Sequence, residues 1–330
     1  MRILMIGGTN LTGPYILQNL VSQGHKVALF HRKKSPTPLP ESVIEILGDK
    51  KNLTHSLSFF QEFKPEVALH MVAYTREDAE TFMNAFQGIA RRVVVPSSID
   101  VYCAYGRLHG SEPGEPDPMP LTEDSPLREK LSVRGEGYEK KWVEQVVMNH
   151  PTLPGTILRL PMIYGRNDGG RTFPYVKRMQ DHRPFILLDE IYAQWQAARG
   201  YSENVAHAIT LAVTQEKARH RIYNVAELET PCEQDWVQKI AHLLKWPGKI
   251  IVVPRYMKLG MDGDFRQQWI VDTHRIREEL GYKEIVAPDE GLARTVAWQS
   301  EHSPAVIDPT NFNYAEEDQL LENFKNPPVW

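Results

Sequence analysis

Cysteine is almost absent from the chain. Cys103 and Cys232 are the only two in 330 residues, far apart and without metal-type spacing. That excludes a disulfide scaffold and a cysteine-built metal centre, and no metal is expected. Two ordinary thiols suit a reducing compartment, so the cytoplasm is the expected location. Long apolar runs are missing too. None approaches the roughly 20 residues of a membrane-spanning helix, so no membrane partner is expected. The chain has no basic surplus: 38 Lys and Arg stand against 42 Asp and Glu, a net charge of −4. This argues against general nucleic-acid binding, though a local basic patch stays compatible with it. Repeats and low-complexity tracts are also lacking. What remains is ordinary globular composition and enough length for one large α/β domain or two lobes.

The informative stretch is the first one. Arg2 to Ile6 is a short apolar run, followed at once by Gly7-Gly8-Thr9-Asn10-Leu11-Thr12-Gly13. From Pro14 to Gln23 the spacing of Ile16, Leu17, Leu20 and Val21 predicts a helix. Strand, glycine turn and helix open a dinucleotide-binding βαβ unit, in which small residues let the backbone approach a pyrophosphate at a helix N-terminus. The N-terminus therefore reads as a core strand and not as a signal peptide. The glycines do not follow G-x-G-x-x-G. Asn10 stands where a G-x-x-G-x-x-G loop has its middle glycine, and Asn tolerates left-handed backbone.

A second apolar run, His25 to Phe30, ends at His31-Arg32-Lys33-Lys34. In a dinucleotide fold this strand end meets the adenosine ribose: an acid suits a 2′-hydroxyl and a basic group a 2′-phosphate. With no acid in the run, NADP(H) is favoured and NAD(H) remains possible. Arg32 is the first candidate, then Lys33, with His31 beside them. Further strands are expected at Val43 to Leu47, at Val67 to Val72 and at Arg92 to Pro96, with a helix at about Glu77 to Gln87. Such alternation means a Rossmann-type doubly wound parallel sheet with helices on both faces. Ligands then sit beyond the carboxyl ends of the strands, at Ala73-Tyr74 and Ser97-Ser98, with Asp49 after the third strand also counted with the cofactor site. His70 reads as a packed strand residue.

Val95-Pro96-Ser97-Ser98-Ile99-Asp100-Val101-Tyr102 resembles the S-S-x-x-V-Y segment of the extended short-chain dehydrogenase/reductases, which include the NAD-dependent epimerases and dehydratases of nucleotide sugars. Matches follow in order at Lys140 to Gln145, Leu158 to Gly165, Gly200 to Ala206, Tyr223 to Val225, Leu280 to Tyr282 and Glu290 to Leu292. The resemblance covers residues 1 to about 300. The glycine loop and the F-H-R strand end look most like an atypical branch, which includes proteins of unknown substrate and a chloroplast stem-loop RNA-binding protein. The resemblance implies a small-molecule substrate, possibly a homodimer partner, and cofactor contacts at the loop, at Ala73, Tyr74 and Pro161. It also implies a smaller, discontinuous C-terminal substrate lobe: residues 166–203 plus 227–330, against 1–165 plus about 204–226 for the dinucleotide domain.

The family's catalytic group is a Ser or Thr with a Tyr and a Lys four residues apart on one helix, so that both meet the nicotinamide. The ammonium lowers the tyrosine pKa and the serine hydroxyl binds the substrate oxygen. Ser98 matches. Aligning on K-x-x-V-E-Q makes Lys140 the family lysine, yet four residues earlier is Glu136. The nearest tyrosine is Tyr138, on a regular helix roughly 160° away from position 136. Three assignments stay open. A local shift around Gly135 and Gly137 lets Tyr138 serve with Lys140 or Lys141; Glu136 takes the tyrosine's place; or the redox chemistry is lost and the chain is a cofactor-binding sensor or RNA-binding module.

The proline- and acid-rich segment from Tyr105 to Arg134, with Glu112, Glu115, Asp117, Glu123 and Asp124, is expected to cross the mouth of the site. Lys177, Arg178, His182, Arg183 and Arg199 are candidates to face an anionic substrate. Trp195, between Gln194 and Gln196, would suit a polar ring. Downstream a strand is expected at Lys249 to Val253 and helices near His274 to Leu280 and Glu290 to Trp298. The tail from His302 to Trp330 would wrap the body without adding a domain.

Overall fold

A computed structural model describes residues 1–33, 38–168, 170–257, 259, 262–304 and 307–325. Lys34 of the basic run, Gly169, and Pro327, Pro328 and Trp330 of the tail lie outside the described residues. In chain order the first half runs β1 (Arg2–Ile6), α1 (Gly13–Ser22), β2 (Lys26–His31), β3 (Ile44–Leu47), α2 (Leu57–Phe63), β4 (Val67–His70), α3 (Arg76–Phe86), β5 (Arg92–Ser98), α4 (Cys103–Leu108), α5 (Lys140–Met148), β6 (Gly155–Leu160) and β7 (Met162–Tyr164). The second half runs α6 (Phe173–Gln180), β8 (Phe185–Asp189), α7 (Glu190–Ala193), β9 (Arg199–Tyr201), α8 (Ser202–Thr214), β10 (Arg221–Asn224), α9 (Glu233–Leu243), β11 (Lys249–Val253), α10 (His274–Leu280), α11 (Pro288–Glu301) and α12 (Tyr314–Lys325).

Seven parallel strands form the central sheet in the order β10-β6-β5-β4-β1-β2-β3. In the inner strands β1, β2, β4 and β5 the side chains alternate between two buried faces, which is why they read as largely apolar runs, whereas edge strand β3 is mostly exposed. Ile3 and Met5 pack with Ile16, Leu17 and Leu20 of α1 and with Val205 and Ile209 of α8. Leu4 and Ile6 face the other way, onto Phe60, Phe82, Phe86, Val143 and Val147 of α2, α3 and α5. Each such fully buried side chain contributes about 1.5–3 kcal/mol. Ile6 is level with Phe30 of β2 and with His70 of β4. The strand order reverses around β1, so a crevice opens beyond these carboxyl ends.

A smaller group of elements stands over that crevice. β8 pairs with β11, and β7 with β9, both parallel. Tyr105, Trp195, Phe265 and Trp269 pack together here. β10 returns from this excursion to extend the main sheet beside β6. The tail does carry regular structure: α12 docks on α6 through Arg178–Glu317 at 2.6 Å and through Arg183–Asp318.

Candidate active site

A cavity of about 1310 Å³ runs from the glycine loop to the aromatic cluster. Ile6 to Thr12 line its first end, with His31, Arg32 and Lys33 beside them. Gly7 and Gly8 take φ of 73° and 89°, in the left-handed region that favours glycine. A Cβ at Gly13 would stand 1.8 Å from the Gly8 carbonyl oxygen, so the loop closes on α1 only with glycine there. Gly13 thus shapes the loop and does not line the cavity. This open cradle of glycines and small polar residues at a helix N-terminus fits a dinucleotide pyrophosphate.

At the end of β2 the basic run is only part of the arrangement. His31 Nε2 lies 2.8 Å from Glu45 Oε1, an acid supplied by β3. Asp49 is not on the cavity; its carboxylate accepts the backbone N–H of Lys51 at 3.0 Å and caps a short turn. Its neighbour Lys50 lines the wall instead, donating to Asp78 at 2.6 Å and to the Val72 carbonyl at 2.7 Å. Burial raises the Asp78 pKa, yet Lys50 and the Tyr74 and Thr75 N–H groups more than offset it, and the carboxyl sits below its usual range. His70 is fully buried, packs on Phe82, and is held neutral by burial, its pKa lowered to about 3.

Ser98 ends β5, Tyr138 precedes α5 and Lys140 opens it; all three line the middle of the cavity. The local backbone explains the spacing. Gly135 takes φ 73°, Glu136–Tyr138 forms a single 3₁₀ turn, and α5 begins only at Lys140. Glu139 fixes that start. Its carboxylate, wholly buried, accepts from Arg128 at 3.0 and 3.2 Å, from Ser132 N at 2.9 Å and from Lys141 N at 3.2 Å. A regular helix through position 136 is therefore not formed. Glu136 is exposed and off the cavity. Lys141 is also removed: its ammonium donates to the carbonyls of Arg128 and Glu129 at 2.6 and 3.1 Å.

Lys140 Nζ donates to the Ala73 and Pro96 carbonyls at 2.6 and 3.0 Å. Ala73 is buried and contributes only this backbone oxygen, whereas Tyr74 and Pro161 line the cavity. Burial lowers the Lys140 pKa to about 8, opposed by Asp100. Tyr138 is pushed upward, first by burial and then by Asp100, while Arg134 and Ser98 pull it back. The cation nearest in effect is thus Arg134, whose Cζ is 4.7 Å from the Tyr138 ring centre, against 5.6 Å for Lys140 Nζ. Asp100 is buried, lines the cavity and has one carboxylate oxygen without a hydrogen-bond partner among the described residues. Burial raises its pKa.

The far end is walled by Tyr105, Trp195, Phe265 and Trp269, with His109, Arg134, Asp168 and Arg171 among them. The Trp195 indole N–H is spent on the Gln267 carbonyl at 3.0 Å, so Trp195 offers its ring and not a polar atom. The expected anion-facing residues are mostly neutralised within the chain. Lys177 pairs with Asp181 at 2.7 Å, Arg178 and Arg183 with α12, and Arg199 with buried Glu233. The acids of the 105–134 segment pin it down. Glu112 accepts from the backbone of Glu129 and Lys130 at 2.7 and 2.6 Å, Glu123 from Asn224 N at 2.8 Å, and Asp124 from Arg275 at 2.7 Å. Asp100 and Arg134 were not singled out by sequence reasoning, whereas Arg171 falls in the stretch from Arg166 to Arg199 that the resemblance made a substrate contact.

A glycine-cradled crevice at the switch point of a parallel sheet, with Ser, Tyr and Lys beyond it, defines an enzyme of the short-chain dehydrogenase/reductase type. Residues 3–226 match the family model "NAD dependent epimerase/dehydratase family", and the chain belongs to that family. Among curated relatives, the uncharacterized protein YbjS of Escherichia coli (strain K12) is 27% identical over 195 residues, 51% of this chain and 57% of that one, so the match spans less than two thirds of YbjS. The 2'-dehydrokanamycin reductase of Streptomyces kanamyceticus is 22% identical over 301 residues, 87% of this chain and 79% of the relative. Among solved structures, WbmG of Bordetella bronchiseptica, in complex with NAD and UDP, superposes with a TM-score of 0.72 at 18% identity, covering 91% of this chain and 95% of that one. Among the described residues no helix is long and apolar enough to cross a membrane.

Proposed function

We propose that the chain is an NADP(H)-preferring oxidoreductase, epimerase or dehydratase acting on a small polar substrate, with Tyr138 as its proton-transfer group. The observation that carries this reading is the convergence of Ser98, Tyr138 and Lys140 on the cavity that begins at the glycine loop. The Ser98 oxygen accepts from Asp100 N at 3.3 Å, and its O–H, beside Tyr138 and Asp100, would turn to donate to a substrate oxygen. Tyr138 then takes or returns the proton of that oxygen. Lys140 spends two of its three N–H groups on carbonyls and keeps one for a ligand. Ile6 to Thr12 would hold the pyrophosphate, and Arg32 with Lys33 a 2′-phosphate. The cofactor supplies the hydride chemistry when bound. Residues 166–203 and 227–330 would hold the substrate, whose class YbjS does not name and whose counterpart in the Streptomyces reductase is 2'-dehydrokanamycin.

The test is calorimetry with NADPH and NADH, followed by a screen of sugars and sugar derivatives for cofactor turnover. Tight NADPH binding and at least one turned-over substrate support the reading. Absence of binding to either cofactor overturns it.

A further inference from the structure

Apart from Arg32 beside the glycine loop, the arginines on and near the cavity divide into two groups. Arg128, Arg159, Arg178 and Arg199 each meet a carboxylate of this chain: Glu139, Glu144, Glu317 and Glu233. Arg134 and Arg171 line the cavity, and no ion pair reaches either guanidinium among the described residues. They come from separate parts of the chain, the loop before α5 and the segment before α6, and they face the same space as Tyr138. Arg134 lies over the Tyr138 ring and beside Tyr105, both uncharged. Arg171 is also shared with a second cavity of about 640 Å³, so it stands at the junction of the two.

The nearby acids, Asp100 toward Arg134 and Asp168 toward Arg171, soften this charge without closing an ion pair on either guanidinium among the described residues. Asp168 spends its oxygens on Gly170 N at 2.9 Å, Arg171 N and Thr172 Oγ1 at 3.2 Å and Gln299 Nε2 at 3.0 Å. The charge of Asp100 is shared among Arg134, Arg128 and Lys140, and one of its carboxylate oxygens has no hydrogen-bond partner among the described residues. His109, on the same wall, is held neutral by burial and by Arg134. Both arginines are exposed, so the fork of each can meet an incoming oxyanion without first breaking an ion pair.

We infer that Arg134 and Arg171 clamp an anionic group, a carboxylate or a phosphate monoester, carried by the substrate close to the hydroxyl served by Tyr138. The planar fork of each guanidinium suits either oxyanion. The second cavity, by contrast, holds Arg178 and Arg199 already satisfied by Glu317 and Glu233. The charge of the substrate is therefore read at the junction and not farther along that cavity. The inference rests on the proposed role of Tyr138 and adds the substrate's chemical class to it.

The experiment uses the full chain saturated with NADP, at constant ionic strength, titrated with D-glucuronate, glucose 6-phosphate and glucose. Binding is followed through the fluorescence of Trp195 and Trp269, which line the cavity. At least one of the two acids should bind roughly tenfold or more tightly than glucose, the worth of one charged hydrogen-bonded contact. The better acid identifies the oxyanion. Arg134→Gln and Arg171→Gln should each erase the preference, and Arg171→Lys should keep part of it. Equal binding of all three probes overturns the clamp, as does a preference that survives both glutamine variants. Loss of NADP affinity in those variants, with the acid preference intact, would assign the arginines to the cofactor. Failure of the wild type to bind NADP at all is a separate result, which strikes the proposed function and not the clamp alone.

Discussion

Tyr138 stacks on Tyr74 with ring centres 5.4 Å apart and planes inclined by 30°. Cations close both ends of the stack: Arg134 lies over Tyr138, and Lys50 and Lys140 sit 4.7 and 4.8 Å from the Tyr74 ring centre. The phenol is therefore held by ring contacts that do not involve its hydroxyl. Tyr138→Phe preserves the stack and removes only the titrating group. Its kcat should fall roughly 10²–10⁴-fold with stability nearly unchanged. Glu136→Gln and Lys141→Met, away from the cavity, should stay within about twofold. Full activity in Tyr138→Phe, measured by cofactor turnover on any accepted substrate, would refute the assignment.

Cofactor choice follows from the adenosine end. Arg32→Gln should weaken NADPH binding roughly tenfold or more and leave NADH nearly unchanged, since a charged hydrogen bond is worth about 1.5–3 kcal/mol. Calorimetry on both cofactors checks it. A wild type that binds NADH as tightly as NADPH contradicts the preference, and would turn attention to Glu45 behind His31.

Gly13→Ala sets a methyl group against the Gly8 carbonyl, backbone that cannot rotate away. The loop must open or α1 must shift. Cofactor affinity should drop more than tenfold, and the rise in melting temperature on adding cofactor should vanish. An unaltered ligand-induced rise would show that the loop does not carry the pyrophosphate.

Lys140 links stability to pH. Its pKa is lowered from 10.5 to about 8 in the folded chain. Between those values the unfolded state binds more protons, so stability contributed by this group rises with pH from about 8 to 10.5. Lys140→Met removes the dependence. Urea midpoints of wild type and variant, compared across that range, should converge or cross as pH rises in the wild type's favour. Parallel curves would contradict it.

Arg128 and Glu139 are wholly buried partners. Arg128→Met strands the carboxylate that caps α5, at a cost of about 3–5 kcal/mol. Urea unfolding measures the loss. A cost below about 1 kcal/mol would mean that the pair does not hold the turn carrying Tyr138.

The inner strands β1, β2, β4 and β5 were legible because both of their faces are buried, so each is a largely apolar run ending at a turn; the edge strand β10, with Arg221 exposed, was not. β11 matches its expected span of Lys249–Val253. Ser98 was legible through its motif. The displaced Tyr138 was legible in part: Gly135 and Gly137 signalled a broken helix, and the helix indeed starts late, at Lys140. What marked Lys141 and Glu136 as candidates was spacing alone, and the 3₁₀ turn cancels that spacing. The fate of Arg178 could not be read locally. Its partner Glu317 stands 139 residues away, and only the docking of α12 joins them. Glu45 beside His31 likewise depends on the register of two strands, Phe30 opposite Ile46 and His31 opposite Leu47.

β10 joins the sheet last, and its end residue reaches across to the segment between β5 and α5. Asn224 accepts from the Tyr102 hydroxyl at 2.6 Å and donates from Nδ2 to the Leu121 carbonyl at 3.1 Å, and its backbone N–H meets Glu123. During synthesis the six earlier strands emerge first, and domains tend to assemble from the N-terminus. A nascent chain thus owns a cofactor crevice before it owns a closed reaction chamber. The 102–123 segment is latched to the sheet only when residue 224 leaves the ribosome, and the aromatic far wall, with Phe265 and Trp269, follows later still.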